Sequence, residues 1–385
     1  MLRSKRAGSH VQRHPSMLLM PKHEAEDDLE TVRALFDGRR LTQARLLAGL
    51  VKADVADTVG VSAAAIGQFE SGDARPSLGT LSNLSRALNV PASFFAANRA
   101  LYSVSGDEGH FRSLRSTSTR DRARARAQLE ILAEAVATLE RRVHLPDMDL
   151  PDLDPDAGPE NAARAVRVAW DLDDGPVPDV VALLEAHGVI VTRLPAATDA
   201  MDAFSAWVGD RPFVLLVANK QAADRARFDA AHELAHLLLH RGSAPGDPEV
   251  ERIAHRFAAE FLTPASSIRS ELPRRVDWRQ LADLKLTWGV SMAMLLRRMR
   301  DLSILSEPAY RRGMMDLSRL GWRKSEPVGI GTPEEPEMLA LAVDVLARER
   351  SYTIDDLASE MSLRPENIKL LVECWSATAR AQLGA

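Results

Sequence analysis

The chain has 385 residues, 45% of them apolar and 27% charged, so it has an ordinary globular composition and is long enough for two or three domains. Its net charge of −5 is mild and carries no nucleic-acid signature by itself. The single cysteine, Cys374, excludes an intramolecular disulfide and a cysteine-rich zinc site and fits a reducing cytosol, so a cytoplasmic location is expected.

Residues 1–28 read as a disordered tail, basic and then acidic. Arg3, Lys5, Arg6 and Arg13 precede only Met17-Leu18-Leu19-Met20, too short for a signal peptide, and no apolar run approaches the ~20 residues of a membrane span. From 29 to 99 short amphipathic patterns with short breaks predict a five-helix bundle. Leu41 to Leu50 carries Leu46 and Leu47 inward, and Lys52 to Thr58 follows. Gly60-Val61-Ser62 is a turn whose serine is a good N-cap. The next helix, Ser62 to Ser71, carries Ile66 and Phe69 and stops at Gly72; Pro76-Ser77 then opens a helix with Leu78, Leu81, Leu84 and Leu88. Two short helices joined by a glycine-containing turn form a helix-turn-helix pattern.

The run Val55-Ala56, Val59-Gly60-Val61-Ser62, Ile66, Phe69-Glu70, Gly72, Pro76, Leu81 and Ala87-Leu88-Asn89-Val90 resembles the XRE (Cro/C1-type) repressor family. The resemblance implies a recognition helix over Ser62–Ser71, in the major groove of a double-stranded DNA operator. Gln68 then pairs naturally with adenine, whereas Ala63, Ala64 and Ala65 reach only thymine methyl groups. Phosphate contacts are expected from Arg39, Arg40, Lys52, Ser62 and Arg75. Where the family often has Gln at the start of its second helix, this chain has Lys52. The seven basic residues from Arg39 to Arg99 face Asp54, Asp57, Glu70 and Asp73, so affinity per monomer is expected to be modest and a homodimer on two half-sites is the expected remedy.

Residues 100–158 read as a helical linker and an acidic, proline-rich segment. Arg112, Arg115, Arg120, Arg122, Arg124 and Arg126 crowd into fifteen residues. They are either a phosphate-contacting arm beside the helix-turn-helix or the solvated face of a helix whose other face carries Leu129, Leu132, Val136 and Leu139. Pro146 to Asp156 alternates acid, apolar residue and proline, which predicts an extended segment, a linker or a wrap around the next domain.

Residues 159–305 predict a domain of helices around a small antiparallel sheet. Helices run over Pro159–Trp170 and Pro178–Ala186, and strands over Val189–Leu194, Ala203–Val208 and Arg211–Ala218, the last two joined by Gly209-Asp210. An edge strand of such a sheet can pair with an extended peptide. Trp207 is expected to pack on the helix that follows or to wall a subsite. That helix holds His232-Glu233-Leu234-Ala235-His236. Residues i and i+4 share a helix face, so both histidines can bind one metal ion, with Glu233 placed to act as general base. Glu249 to Leu262 is a second amphipathic helix, and Glu251 or Glu249 could supply a third ligand. Glu260 faces elsewhere and reads as solvated, as do Arg297, Arg298 and Arg300. Asp229 is a candidate acceptor for a ligand imidazole, and His240 and His255 are candidate donors to an oxyanion.

Arg225, Arg227, Phe228, Ala231, His232, Glu233 and His236, followed by Glu251, Ala254, Phe257, Ala258, Leu262 and Pro264, resemble the ImmA/IrrE metallopeptidases. The resemblance implies His232, His236 and Glu251 as ligands to Zn2+ and Glu233 as catalytic base. It also implies a protein substrate, a repressor in some members. One departure is His255, where the family usually has Asn. Residues 306–385 are expected to be helical, serving dimerisation, effector binding or as a degenerate winged helix. The expected fold is multidomain and mainly α with a small antiparallel sheet: a five-helix helix-turn-helix bundle, an α+β zincin-like domain and a helical C-terminal region. The expected function is a DNA-binding regulator that also cleaves a regulatory protein in a stress or mobile-element response. The alternative is an XRE-type repressor or antitoxin-like regulator whose zinc domain senses or stabilises.

Overall fold

Glycine and hydroxyl punctuation sets the first helices of the chain, seen in a computed structural model that describes residues 29–102, 104, 118–154, 157–194, 203–217, 222–240 and 247–372. The tail 1–28, Arg112, Arg115 and Cys374 lie outside the described residues. Helix α1 (29–34) is followed by α2 (Gly38–Leu47), α3 (Lys52–Val59), α4 (Ala63–Ser71) and α5 (Leu78–Ala87), the five expected helices. Ser62 Oγ accepts from Ala65 N at 3.1 Å, and Gly60 and Gly72 close α3 and α4 with φ of 76° and 82°, a conformation glycine adopts without cost. A Cβ on Gly38 would lie 2.2 Å from the Phe69 carbonyl oxygen, so α2 and α4 touch backbone to backbone. Asp37 starts α2 three residues earlier than the leucine pattern suggested. That start turns Leu41 and Ala44 into the core and leaves Leu46 and Leu47 only half-buried.

Helix α6 (Thr119–Glu140) is more than a linker. Over its second half nearly every residue is buried, including Leu129, Ile131, Leu132, Ala135, Val136 and Leu139. A helix apolar all round belongs inside a core. One continuous core accordingly contains the α2–α5 bundle, α6, one face of the sheet and the last three described helices. The acidic segment wraps the next unit rather than spanning a gap: the Asp149 carbonyl accepts from Trp170 Nε1 at 2.9 Å, and Asp149 N donates to His187 O at 3.1 Å.

Helices α7 (Pro159–Ala169) and α8 (Val180–Ala186) precede strands β1 (Ile190–Leu194), β2 (Phe204–Val208) and β3 (Arg211–Val217). The sheet is mixed, with order β1-β3-β2, and not wholly antiparallel. The β2–β3 hairpin is antiparallel as expected and occupies one edge of β3. That leaves β1 the other edge, where it runs parallel with Ile190 opposite Phe213. Side chains alternate across the sheet. Ile190, Phe204, Ala206, Phe213 and Leu215 join the first core, while Val191, Val214 and Leu216 join a second one.

The second core is built by α7, α8, α9 (Ala223–Leu239), α10 (Pro248–Leu262), α11 (Ala265–Glu271), α12 (Trp278–Trp288), α13 (Met292–Asp301) and α14 (Glu307–Arg319). Two charged residues expected in solvent are inside it. Glu260 is 1% exposed and accepts from Arg164 Nη1 at 2.9 Å and from Arg298 Nη2; Arg298, 4% exposed, also donates to the Thr263 carbonyl. The partners of Glu260 lie on α7 and α13 and that of Arg298 on α10, and a buried charge with matched partners is tolerated where a lone one is not.

Between α14 and α15 (Met338–Arg350) the chain is pinned by three glutamates. Glu326 accepts from Lys285 Nζ and Met292 N, Glu334 from Arg227 Nη1, Val180 N and Val181 N, and Glu335 from Arg193 Nε. Helices α16 (Ile354–Glu360) and α17 (Pro365–Val372) complete the described chain. No described helix is long and apolar enough to cross a membrane.

Glu185, on α8, accepts from Glu337 N at 3.0 Å and Met338 N at 3.2 Å, which docks the C-terminal helices. Burial pushes its carboxyl up to about 7 from 4.5, only partly opposed by those two N–H groups. The folded chain therefore keeps a proton that the unfolded chain has already released, so stability falls as pH rises through that interval. Glu185→Gln is expected to flatten this slope, measured by urea unfolding at pH 5 and pH 8. An unaltered slope would show that the carboxylate is hydrated after all.

Candidate metal centre and nucleic-acid interface

Helix α9 has neither glycine nor proline along its length, and its inner stripe of Ala230, Ala231, Leu234, Ala235 and Leu237 is fully buried. Arg227 fixes the helix from the side by donating to the Val177 and Pro178 carbonyls and to Glu334. A Cβ on Gly289 would fall 2.8 Å from Arg227 Nε, so a glycine there leaves room for the guanidinium.

One turn apart on α9, the Nε2 atoms of His232 and His236 lie 3.1 Å from each other. Glu251, at the start of α10, brings Oε2 to 3.3 Å from His232 Nε2 and Oε1 to 3.8 Å from His236 Nε2. The three donor atoms all lie within 4.8 Å of one another. Two imidazole nitrogens and a carboxylate aimed at one point, with a position left over, form a donor set suited to a divalent cation such as Zn2+. Glu249 does not join them; it is exposed and pairs with Arg252.

Glu233 is 3% exposed and accepts a 2.7 Å hydrogen bond on Oε2 from Ser205 Oγ, itself fully buried on β2. Burial pushes the Glu233 carboxyl up to about 7, opposed by the His232 charge and the Ser205 hydroxyl. Burial works against a charge on His232, but the Glu251 hydrogen bond and the charges of Glu233, Glu251 and Asp229 outweigh it and raise its pKa. Asp229 acts on the site through that charge; His232 Nδ1 is buried without a hydrogen-bond partner among the described residues. His240 Nδ1 lies 3.1 Å from His236 Nδ1, a position from which it can orient that ring.

His255 sits one turn past Glu251, its ring 4.6 Å from that of His232 and 5.5 Å from that of Phe228. Burial, then the His232 and Arg297 charges, pushes its pKa down to about 4, so it is neutral at ordinary pH. Trp207 Nε1 donates to the Leu237 carbonyl at 3.2 Å, so Trp207 packs on α9. Ser205 escaped the sequence reading. Its signal was a lone hydroxyl two residues before Trp207, on the same face of an otherwise apolar strand.

At the other end of the chain, Ser62, Ala63, Ala64 and Gln68 are exposed along α4, and Ala65 is half-buried. Arg75 is exposed. Lys52 Nζ lies 3.2 Å from Glu70, and Arg39 is held by Asp37 at 2.7 Å. Arg40 is not on the surface: it is 1% exposed and donates to Glu134 on α6 at 2.7 Å, so it cannot reach a phosphate.

Residues 41–95 match the helix-turn-helix family model, and residues 184–300 match the model of the IrrE N-terminal-like domain. The chain joins an XRE-type helix-turn-helix domain to an IrrE N-terminal-like domain. The IrrE-like match contains the sheet, α9 and α10, and with them His232, Glu233, His236 and Glu251; the helix-turn-helix match contains α3 and α4. A search of curated proteins finds no match to the chain.

Proposed function

We propose that the protein is a transcriptional regulator that binds a double-stranded DNA operator through residues 29–99 and carries a zinc-dependent metallo-endopeptidase over residues 159–305. Its substrate would be a regulatory protein, a repressor being the leading case, in a stress or mobile-element response. It would work in the cytoplasm as a homodimer on paired half-sites. The observation that carries the peptidase reading is the convergence of His232, His236 and Glu251 beside a buried Glu233.

Zn2+ held by His232, His236 and Glu251 would polarise a peptide carbonyl and acidify water. Glu233 is the proton acceptor of this chain. With Oε2 engaged by Ser205, its other oxygen is left to take a proton from the attacking water and return it to the leaving amine. β2 is an edge of the sheet and lies against α9, so an extended peptide pairing with it would run alongside the site. His240 would hold the His236 ring, and neutral His255 could donate to the oxyanion.

The test is bound metal per chain, together with the proteins cleaved when native chain or Glu233→Gln is expressed in the host. A specific cleavage present only with the native chain supports the peptidase. Identical proteomes with metal bound would favour the reading in which the zinc domain senses or stabilises. One observation favours that second reading: the sheet beside the metal site shares a core with the helix-turn-helix through α6.

On the DNA side, Gln68 is the exposed amide able to bond adenine in the groove. Gln68→Ala should weaken binding to a selected operator by about 1–3 kcal/mol and leave random-sequence binding unchanged. Competition between the two duplexes in fluorescence anisotropy reads this directly. Equal losses on both would remove Gln68 from base readout.

A further inference from the structure

Helices α2 and α6 run antiparallel, as their contacts step in opposite directions. Arg40 meets Glu134 at 2.7 Å, and Gln43 meets Glu130 at 3.3 Å. A Cβ on Gly49 would lie 3.7 Å from Arg124 Cδ and 3.8 Å from Arg120 Nε. The head of α6 therefore lies beside the turn that leads from α2 into α3. In a helix-turn-helix the first helix of the pair crosses the DNA backbone, and here that helix is α3, beginning at Lys52.

The charges near this turn are unequal in what they can offer. Lys52 is tied to Glu70 and Arg39 to Asp37. Arg120 and Arg124 are exposed, lie one turn apart on one face of α6, and make no hydrogen bond or ion pair with another described residue. The acid nearest in sequence, Asp121, already accepts from Ser118 Oγ at 2.7 Å, and its backbone N donates to the same Oγ at 3.1 Å. Two free guanidiniums beside a backbone-crossing helix are suited to phosphate oxygens and to the release of counterions.

We infer that Arg120 and Arg124, at the head of α6, contact the phosphates of the duplex beside those met by α3, and so extend the DNA-binding surface beyond the helix-turn-helix. The inference rests on the DNA-binding reading above. Contacts of this kind carry charge and no base readout, so they strengthen binding to every sequence alike.

The test uses the full chain and a random-sequence duplex, with affinity measured by fluorescence anisotropy across a salt series. Each phosphate contact contributes about 0.9 to the slope of log affinity against log salt. Arg120→Ala/Arg124→Ala should lower that slope by about 1.8 per bound chain, so that from 50 to 200 mM salt the native protein loses about twelvefold more affinity than the variant. Arg120→Lys/Arg124→Lys keeps both charges and should keep the native slope, which separates charge from any change in folding. A native slope in the alanine variant, or a lowered slope in the lysine variant, would overturn the inference. If the native chain binds neither this duplex nor a selected one even at 50 mM salt, the DNA-binding reading fails and this inference with it.

Discussion

Glu233→Gln is expected to keep its bound metal and lose proteolysis by about 10²–10⁴-fold, the range in which a positioned general base contributes. The amide has nearly the shape of the carboxylate and can still accept from Ser205, so packing around α9 should survive. What it cannot do is take a proton. The metal should stay because the proposed ligands, His232, His236 and Glu251, are untouched, and replacing His236 by Ala should release it. The comparison is read by metal analysis of both purified variants and by cleavage of whatever protein the native chain cuts in its host. Full activity in Glu233→Gln would remove Glu233 as base and shift attention to the neighbouring histidines. Loss of metal in Glu233→Gln would mean that this residue helps hold the ion.

The parts of this design that the sequence shows are those whose partners are close along the chain. His232 and His236 are one turn apart, and Ser62, Gly60 and Gly72 delimit α3 and α4 by local chemistry alone. The third member of the candidate metal cluster, Glu251, was legible as one of two acids at the head of an amphipathic helix, and geometry separates it from the exposed Glu249. Other features depend on residues far away. Arg40 is expected among the phosphate contacts, yet its carboxylate partner, Glu134, lies 94 residues away on α6. Glu260 looked solvated until Arg164 and Arg298 closed over it from two other helices. Ser205 and Glu233 meet across a strand and a helix, and α6 read as a linker because its apolar residues cover several faces instead of one. Periodicity reports which face of an element is apolar, and not which distant charge will be waiting in the core.

Glu134 should be among the most sensitive residues in the chain for stability. Its carboxylate accepts from Arg40 Nη1 at 2.7 Å and Nη2 at 3.3 Å, and lies 3.1 Å from Arg99 Nε. Arg40 is 1% exposed and Glu134 5%. Burial pushes the Arg99 pKa down to about 10, against the pull of Glu134, which still leaves it charged at neutral pH. Glu134→Ala would leave two guanidiniums without their counter-charge where α6 meets α2, and breaking a buried pair from one side costs about 3–5 kcal/mol. The expected result is an unfolding free energy, read from urea titration, lowered by that amount. DNA binding should weaken as well, because the same contact holds α6 against the bundle. A cavity of about 220 Å3 lined by Arg99, Glu134, Thr138 and Arg141 adjoins the cluster. If water reaches the arginines through it, the loss should shrink toward the ~1 kcal/mol of an exposed pair. Replacing all three charged residues together by apolar ones of similar volume should cost much less than the single change, since no charge is then left stranded. A triple variant as unstable as Glu134→Ala would show that the hydrogen bonds Arg40 makes to Gln43 and the Ala100 carbonyl, lost along with the charges, matter as much as the charge balance.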